Sequence, residues 1–200
     1  MPRLYKPTGV RKLEISEATR KLIIRKGSEH LTVRNIAGEI KLTQAAIYRH
    51  FKSKREILLF LSDFLTDQLV EDLVEASAAR RVSLRTVDQV LRNHLSVIEQ
   101  RRGISFLVFA EILSFGDGGL NHRTAGNLDR YIKALAGLLA RGTAGPRPPV
   151  KAVVESAALL LFGMIQSLVS LWALSAYGFD LLEKYSALWK LFRKALAGGE

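Results

Sequence analysis

The sequence predicts an all-α protein of about nine helices. Apolar residues recur three and four apart along almost the whole chain. No alternating run of β-branched residues is long enough to make a strand. The breaks between periodic segments fall on glycine, proline and short polar clusters, as helix ends require.

The first helix is expected from Lys12 to Lys26, with Ile15, Ala18, Leu22 and Ile23 on one face and Gly27 ending it. Thr32 caps a short helix reaching Ile40, and Thr43 caps another reaching Phe51. Ser53 to Glu56, SKRE, has the pattern of a capping box, so a further helix starts at Lys54. Its apolar face of Ile57, Leu58, Leu61, Phe64, Leu65, Leu69 and Leu73 continues to Ala79. Further helices are expected over Leu84–Arg101, Ile104–Phe115 and Asn121–Arg141, interrupted at RRG and GDGG. After the linker RGTAGPRPPV, a last pair spans Val150–Ala176 and Phe179–Ala197.

Charge divides the chain unevenly. Of the net +11, residues 1–56 carry 14 Lys or Arg against 5 Asp or Glu, leaving 16 against 14 for the remainder. A basic first quarter suits an anionic polymer or surface. With no cysteine, disulfides, thiolate nucleophiles and thiolate metal sites are excluded. The opening MPRLYKPTGVRK lacks the apolar core of a signal peptide, so a cytoplasmic location is expected.

Ala157 to Tyr177 is a competing signal: 21 residues without a charge, long enough to cross a bilayer. Gln166, Ser167, Ser170 and Ser175 dilute it, with Ser156 just before it, and it stands alone. Ser156, Gly163, Ser167 and Ser170 form a small-residue face that another helix can approach closely. Burial in a subunit interface, with no membrane, is the expectation.

Thr32 to Phe51 has the form of a helix-turn-helix, with Ile36, Ala37, Ile40, Leu42, Ile47 and Phe51 packing its two helices. That leaves Gln44, Ala45, Ala46, Tyr48, Arg49 and His50 on the outer side of the second helix. Small residues at its start allow close approach to a groove, and its dipole favours phosphate.

The segment LTVRNIAGEIKLTQAAIYRHFKSKREIL resembles the DNA-binding domain of the TetR/AcrR family of transcriptional regulators, a likeness covering residues 13–61 and centred on IYRHFKSK. The resemblance implies that Thr32, Thr43, Tyr48, His50 and Lys54 touch the phosphate and sugar backbone. Gln44, Ala45 and Ala46 then face base edges, where Gln pairs with adenine and an Ala methyl meets the thymine methyl. Arg49 is long enough for a phosphate or a guanine. Tyr48 has half-buried packing as its alternative role. Arg3, Lys6, Arg11 and Lys12 form an arm, with entry into a minor groove and disorder without contact as its two alternatives. Two positions depart from the family: Lys41 replaces a turn glycine, at about 1 kcal/mol if its backbone is left-handed, a cost a nearby phosphate can offset, and Ala46 replaces threonine.

The resemblance also implies a DNA-binding domain over residues 1–53 and an effector-binding, dimerising domain over 54–200. Homodimerisation through the last two helices fits the uncharged run. For the effector, Phe106, Phe109, Phe115, Tyr131, Phe162 and Trp172 are candidate pocket walls, with His94, Arg102, Glu111 and Gln166 as polar handles. Few charges on these faces favour a lipophilic small molecule. Two recognition helices must sit about 34–36 Å apart to enter successive major grooves of a near-palindromic DNA site, so a ligand that moves the helix from Lys54 changes their spacing. Repression relieved by ligand is the expected function. An activator, or a DNA-bound architectural or cell-division factor on the same fold, is the alternative. His30, His50, His94 and His122 have no metal-ligand spacing, and no Walker loop, G-x-S-x-G or G-x-G-x-x-G occurs, so neither an enzyme, a metal nor a cofactor is expected.

Overall fold

Pro7, with φ fixed at −52°, stands immediately before the first helix of the computed structural model, which describes residues 7–27, 30–146 and 148–197. Proline is poor inside a helix and good at its entrance. α1 therefore spans Thr8–Lys26, beginning four residues before the expected start, and Arg11 and Lys12 are helical. Arg3 and Lys6 of the expected arm lie outside the described residues. Arg11 pairs with Glu14 at 2.7 Å, and the Lys12 ammonium lies 5.0 and 5.7 Å from the ring centres of Phe51 and Phe60.

The other described elements are α2 (Val33–Glu39), α3 (Gln44–Tyr48), α4 (Lys54–Ala78), α5 (Leu84–Gln100), α6 (Ile104–Ser114), α7 (Gly118–Gly142), α8 (Lys151–Leu174) and α9 (Leu181–Ala197). The described residues contain no strand. α7 starts three residues before its expected position because Asp117 Oδ1 accepts the Leu120 N–H at 3.0 Å. At α9 the Asp180 carboxylate accepts the Glu183 N–H at 2.8 Å, fixing the start at Leu181.

Three helices end alike, on a left-handed residue that is not glycine. After α2 the Leu42 N–H reaches Ala37 O at 2.8 Å and Lys41 has φ +52°. After α5 the Gly103 N–H reaches Ile98 O at 2.8 Å with Arg102 at φ +49°. After α8 the Tyr177 N–H reaches Trp172 O at 2.8 Å with Ala176 at φ +53°. Each is a Schellman ending, which normally favours glycine at the left-handed position. The third also needs Gly178, where a side chain would stand 2.9 Å from the Ser175 carbonyl.

Contacts divide the chain into two compact units, residues 1–64 with 107–124, and residues 65–106 with 125–200. The first therefore reaches beyond the functional boundary expected at residues 53/54, since Ile57, Leu58 and Leu61 of α4 are buried in it. Ile15, Leu22, Ile36, Ile47 and Phe51 complete its centre, each at most 1% exposed. The second unit has its own core, including Leu91, Leu95, Leu135, Leu161, Ile165, Leu181 and Tyr185. α8, with a mean hydropathy of 2.0, passes the length test for a membrane span. Val154, Ala158, Leu161, Ile165, Leu168, Val169 and Trp172 nevertheless bury one face of it in that core.

Candidate nucleic-acid interface

Two threonines fix the geometry of the helix-turn-helix. The Thr32 hydroxyl oxygen accepts the Asn35 N–H at 3.1 Å, and that of Thr43 accepts the Ala46 N–H at 3.2 Å. As caps both use an oxygen lone pair, leaving each O–H able to donate outward. The Asn35 side chain ties the approach to α2 by donating to His30 O at 2.7 Å. The left-handed Lys41 then turns the chain from α2 to α3. Burial of Ile36, Ala37, Ile47 and Phe51 accompanies the packing of α2 on α1 and of α3 on α2. Truncating a fully buried isoleucine such as Ile47 to alanine costs about 2–5 kcal/mol.

The outer side of α3 is what this packing leaves over. Gln44, Ala45, Tyr48 and Arg49 are exposed, Tyr48 at 51%, whereas Ala46 and His50 are half-buried. Gln44 and Tyr48 are four apart and Ala45 and Tyr48 three apart, so all three share one face. Phe51 follows in a turn rather than in α3, its N–H bonding to Ile47 O at 3.0 Å. The His50 Nδ1 is buried without a hydrogen-bond partner.

The entrance to α4 is more elaborate than a simple capping box. Ser53 Oγ accepts the Glu56 N–H at 3.2 Å, but the Glu56 carboxylate reaches past Ser53 to the Lys52 N–H at 2.6 Å. Lys54 Nζ lies 2.6 Å from Glu111 Oε1 and 5.4 Å from the ring centre of Phe115. Arg55 pairs with Asp117 at 3.0 Å and covers the same ring at 5.0 Å. Phe115 and Glu111, named with the effector residues, thus stand in the first unit against the start of α4.

The other effector candidates are dispersed. His94, Tyr131 and Phe162 come together in the second unit: His94 Nδ1 is 3.3 Å from the Tyr131 hydroxyl, and the Tyr131 and Phe162 rings are 6.1 Å apart. His94 Nε2 is 3.3 Å from Asp72 Oδ2, close enough for an ion pair but not aligned as a hydrogen bond. Burial lowers the His94 pKa from its ordinary 6.5, with Asp72 pulling weakly the other way. Burial also pushes the Tyr131 phenol well above its ordinary range, so both groups are neutral near pH 7. Trp172 is buried, packed edge-on against Tyr177 at 4.7 Å, and Arg102 is exposed with its guanidinium 5.3 Å from the Tyr177 ring centre. Phe106 packs on the second core, Gln166 is half-buried, and Phe109 belongs to the first unit.

One cavity of about 230 Å³ in the second unit has Gln68, Asp72 and Arg101 in its lining, none of them singled out in the sequence. Arg101 reads there as part of a helix break, and only the pairing of α4 with α5 makes it a cavity residue. Among the described residues, no group of three His, Cys, Asp or Glu is arranged to hold a metal.

Residues 15–60 match the family model described as bacterial regulatory proteins, tetR family. The chain is 22% identical over 170 residues to the fatty acid metabolism regulator protein of Bacillus subtilis, covering 85% of this chain and 87% of that protein. It is 23% identical over 167 residues to the nucleoid occlusion factor SlmA of Vibrio vulnificus, covering 82% and 84%. Among solved structures, the regulator FadR from Bacillus subtilis in complex with stearoyl-CoA superposes with a TM-score of 0.76 at 23% identity, covering 94% of this chain and 98% of that one.

Proposed function

We propose that this chain, whose residues 15–60 match the tetR-family model, is a cytoplasmic repressor of that family that leaves its operator when a lipophilic small molecule binds. The observation that carries the DNA half of this reading is the α3 face of Gln44, Ala45 and Tyr48, held outward by the Thr43 cap and the buried Ile47. Gln44, Ala45 and Ala46 read base edges. Thr32, Thr43, Tyr48, His50 and Lys54 hold the backbone, with Lys41 and Arg49 adding charge beside them.

A single α3 touches too few base pairs to select one site, so recognition needs two copies on a near-palindromic operator. The outward face of α8 supports a homodimer: Ser156, Gly163 and Ser167 are exposed there between Val153, Leu160, Leu171 and Leu174, the last at 82%. Small residues flanked by large apolar ones suit a close helix pair, and such a patch is costly to leave in water. α4 carries the signal, because the helix that begins at Lys54 of the DNA-contacting surface also runs through the second unit. A ligand releases DNA only to the extent that it binds the DNA-incompetent arrangement better.

The relatives support a lipophilic effector, since one is a fatty acid metabolism regulator protein and a structural neighbour, FadR from Bacillus subtilis, was solved in complex with stearoyl-CoA. The nucleoid occlusion relatives favour a second reading, a factor bound at many chromosomal sites. Mapping the DNA bound in cells separates the two. One or a few near-palindromic sites beside promoters, protected in vitro by a dimer, support the repressor; a monomer that protects no duplex at moderate salt overturns both.

A further inference from the structure

We propose that the cavity between α4, α5 and the first turn of α6 is a binding site for the carboxylate of a medium-chain aliphatic acid, with Arg101 as its anchor. This rests on the effector-controlled reading above and names the ligand class and the residue that selects it.

The cavity, about 230 Å³, is walled by Leu65, Leu69, Val97, Ile98 and Ile104, an aliphatic surface without an aromatic ring. Its polar groups are Gln68, Arg101, Ser105 and Asp72. Arg101 is the C-cap of α5 and is followed by the left-handed pair Arg102 and Gly103, so its backbone is fixed by the helix ending rather than by a loop. Its guanidinium donates to Gln68 Oε1 at 3.1 Å, and among the described residues it pairs with no carboxylate. A half-buried guanidinium satisfied by one neutral amide has further donors in a planar fork, the shape a carboxylate fills with two parallel hydrogen bonds. Asp72 lies one helical turn along α4 from Gln68, is exposed, and turns towards His94. Arg101 is the one cationic group in the lining, and so the place for a single negative head. The size fits a short aliphatic tail and excludes a bulky nucleotide from the cavity itself.

The test is calorimetric titration of the purified full chain with octanoate, octyl phosphate and octanol, repeated with Arg101→Gln and with Leu69→Trp, which fills the cavity. Thermal melting confirms that both variants fold. Octanoate should bind more tightly than octanol to the native chain. Arg101→Gln should weaken octanoate by about tenfold, ~1.4 kcal/mol, without changing octanol, and Leu69→Trp should abolish both. Equal affinities for octanoate and octanol, retention of octanoate binding in Arg101→Gln, or binding of neither probe overturns the site. Tighter binding of octyl phosphate than octanoate overturns the carboxylate assignment. Binding to DNA without probe is measured separately: its absence with octanoate binding intact removes the repressor reading and leaves the cavity assignment standing.

Discussion

Lys54 Nζ and Glu111 Oε1 are 2.6 Å apart although 57 residues separate them in sequence. The lysine proposed to hold a DNA phosphate is therefore already engaged, and DNA has to compete with a carboxylate for it. Glu111→Gln keeps the shape of the pair and removes the competing charge. Affinity for operator and for unrelated duplex should both rise two- to fivefold at low salt, the scale of a half-exposed ion pair, ~0.5–1 kcal/mol. Lys54→Ala should weaken both DNAs alike and lower the slope of log affinity against log salt by about 1. Fluorescence anisotropy over a salt series reads both effects, and unchanged affinity in Glu111→Gln means that the pair and the phosphate do not compete.

Gln44 has no structural duty in α3, being exposed beside a cap made by Thr43. Gln44→Ala should cost the operator about 1–3 kcal/mol of discrimination while leaving unrelated duplex unaffected. Competition binding between the two DNAs measures it. An equal loss on both makes Gln44 a backbone contact.

Lys41 is held at φ +52° by the ending of α2. Left-handed backbone costs a side-chain-bearing residue about 1–2 kcal/mol, and glycine returns roughly half of that through its looser unfolded chain. Lys41→Gly should therefore stabilise the protein by up to ~1 kcal/mol in thermal melting while weakening DNA binding through the lost charge. A fall in melting temperature means that contacts of the lysine side chain outweigh the backbone strain.

The same turn shows why the fold was legible in the sequence and where it was not. Helix starts were readable where a Ser or Thr sits directly before an apolar repeat, as at Thr32, Thr43 and Ser53. Asp117 escaped notice because it caps from within the glycine-rich GDGG, and that moved the start of α7. Helix ends were readable at Gly27, but Arg102 and Ala176 take the left-handed position themselves, against their intrinsic preference. At the candidate interface the outward placement of individual residues follows from local spacing, since every group lies within one short segment, and their proposed roles rest on the family resemblance of that segment. The partners of Lys54 do not, because Glu111 and Phe115 arrive from another helix and local periodicity carries no trace of such pairings.

His94 is buried, with its pKa below the ordinary 6.5, while the unfolded chain keeps the ordinary value. Below about pH 6.5 the unfolded chain takes up a proton that the folded chain resists, so stability declines as pH falls through the window between the two values. His94→Gln should flatten this part of the curve of melting temperature against pH. An unchanged slope assigns the acid sensitivity to other groups.

The α8 face should respond to charge. Leu160 and Leu171 are 60% and 61% exposed in one chain, so an aspartate at either leaves the core intact but cannot be buried unpaired between two copies. Leu160→Asp and Leu171→Asp should sediment as folded monomers and lose operator binding. A dimer that survives both substitutions puts the interface elsewhere.

α4 contains neither glycine nor proline along its 25 residues, a length of about 37 Å. Sharp helix kinks form mostly at such residues. In the proposed release of the operator, ligand and DNA are coupled. Such a coupling is symmetric: the factor by which ligand reduces affinity for the operator is the factor by which the operator reduces affinity for ligand. The operator is in that sense an effector of the ligand site, and titrating DNA into the liganded protein reads the same quantity as titrating ligand into the DNA complex.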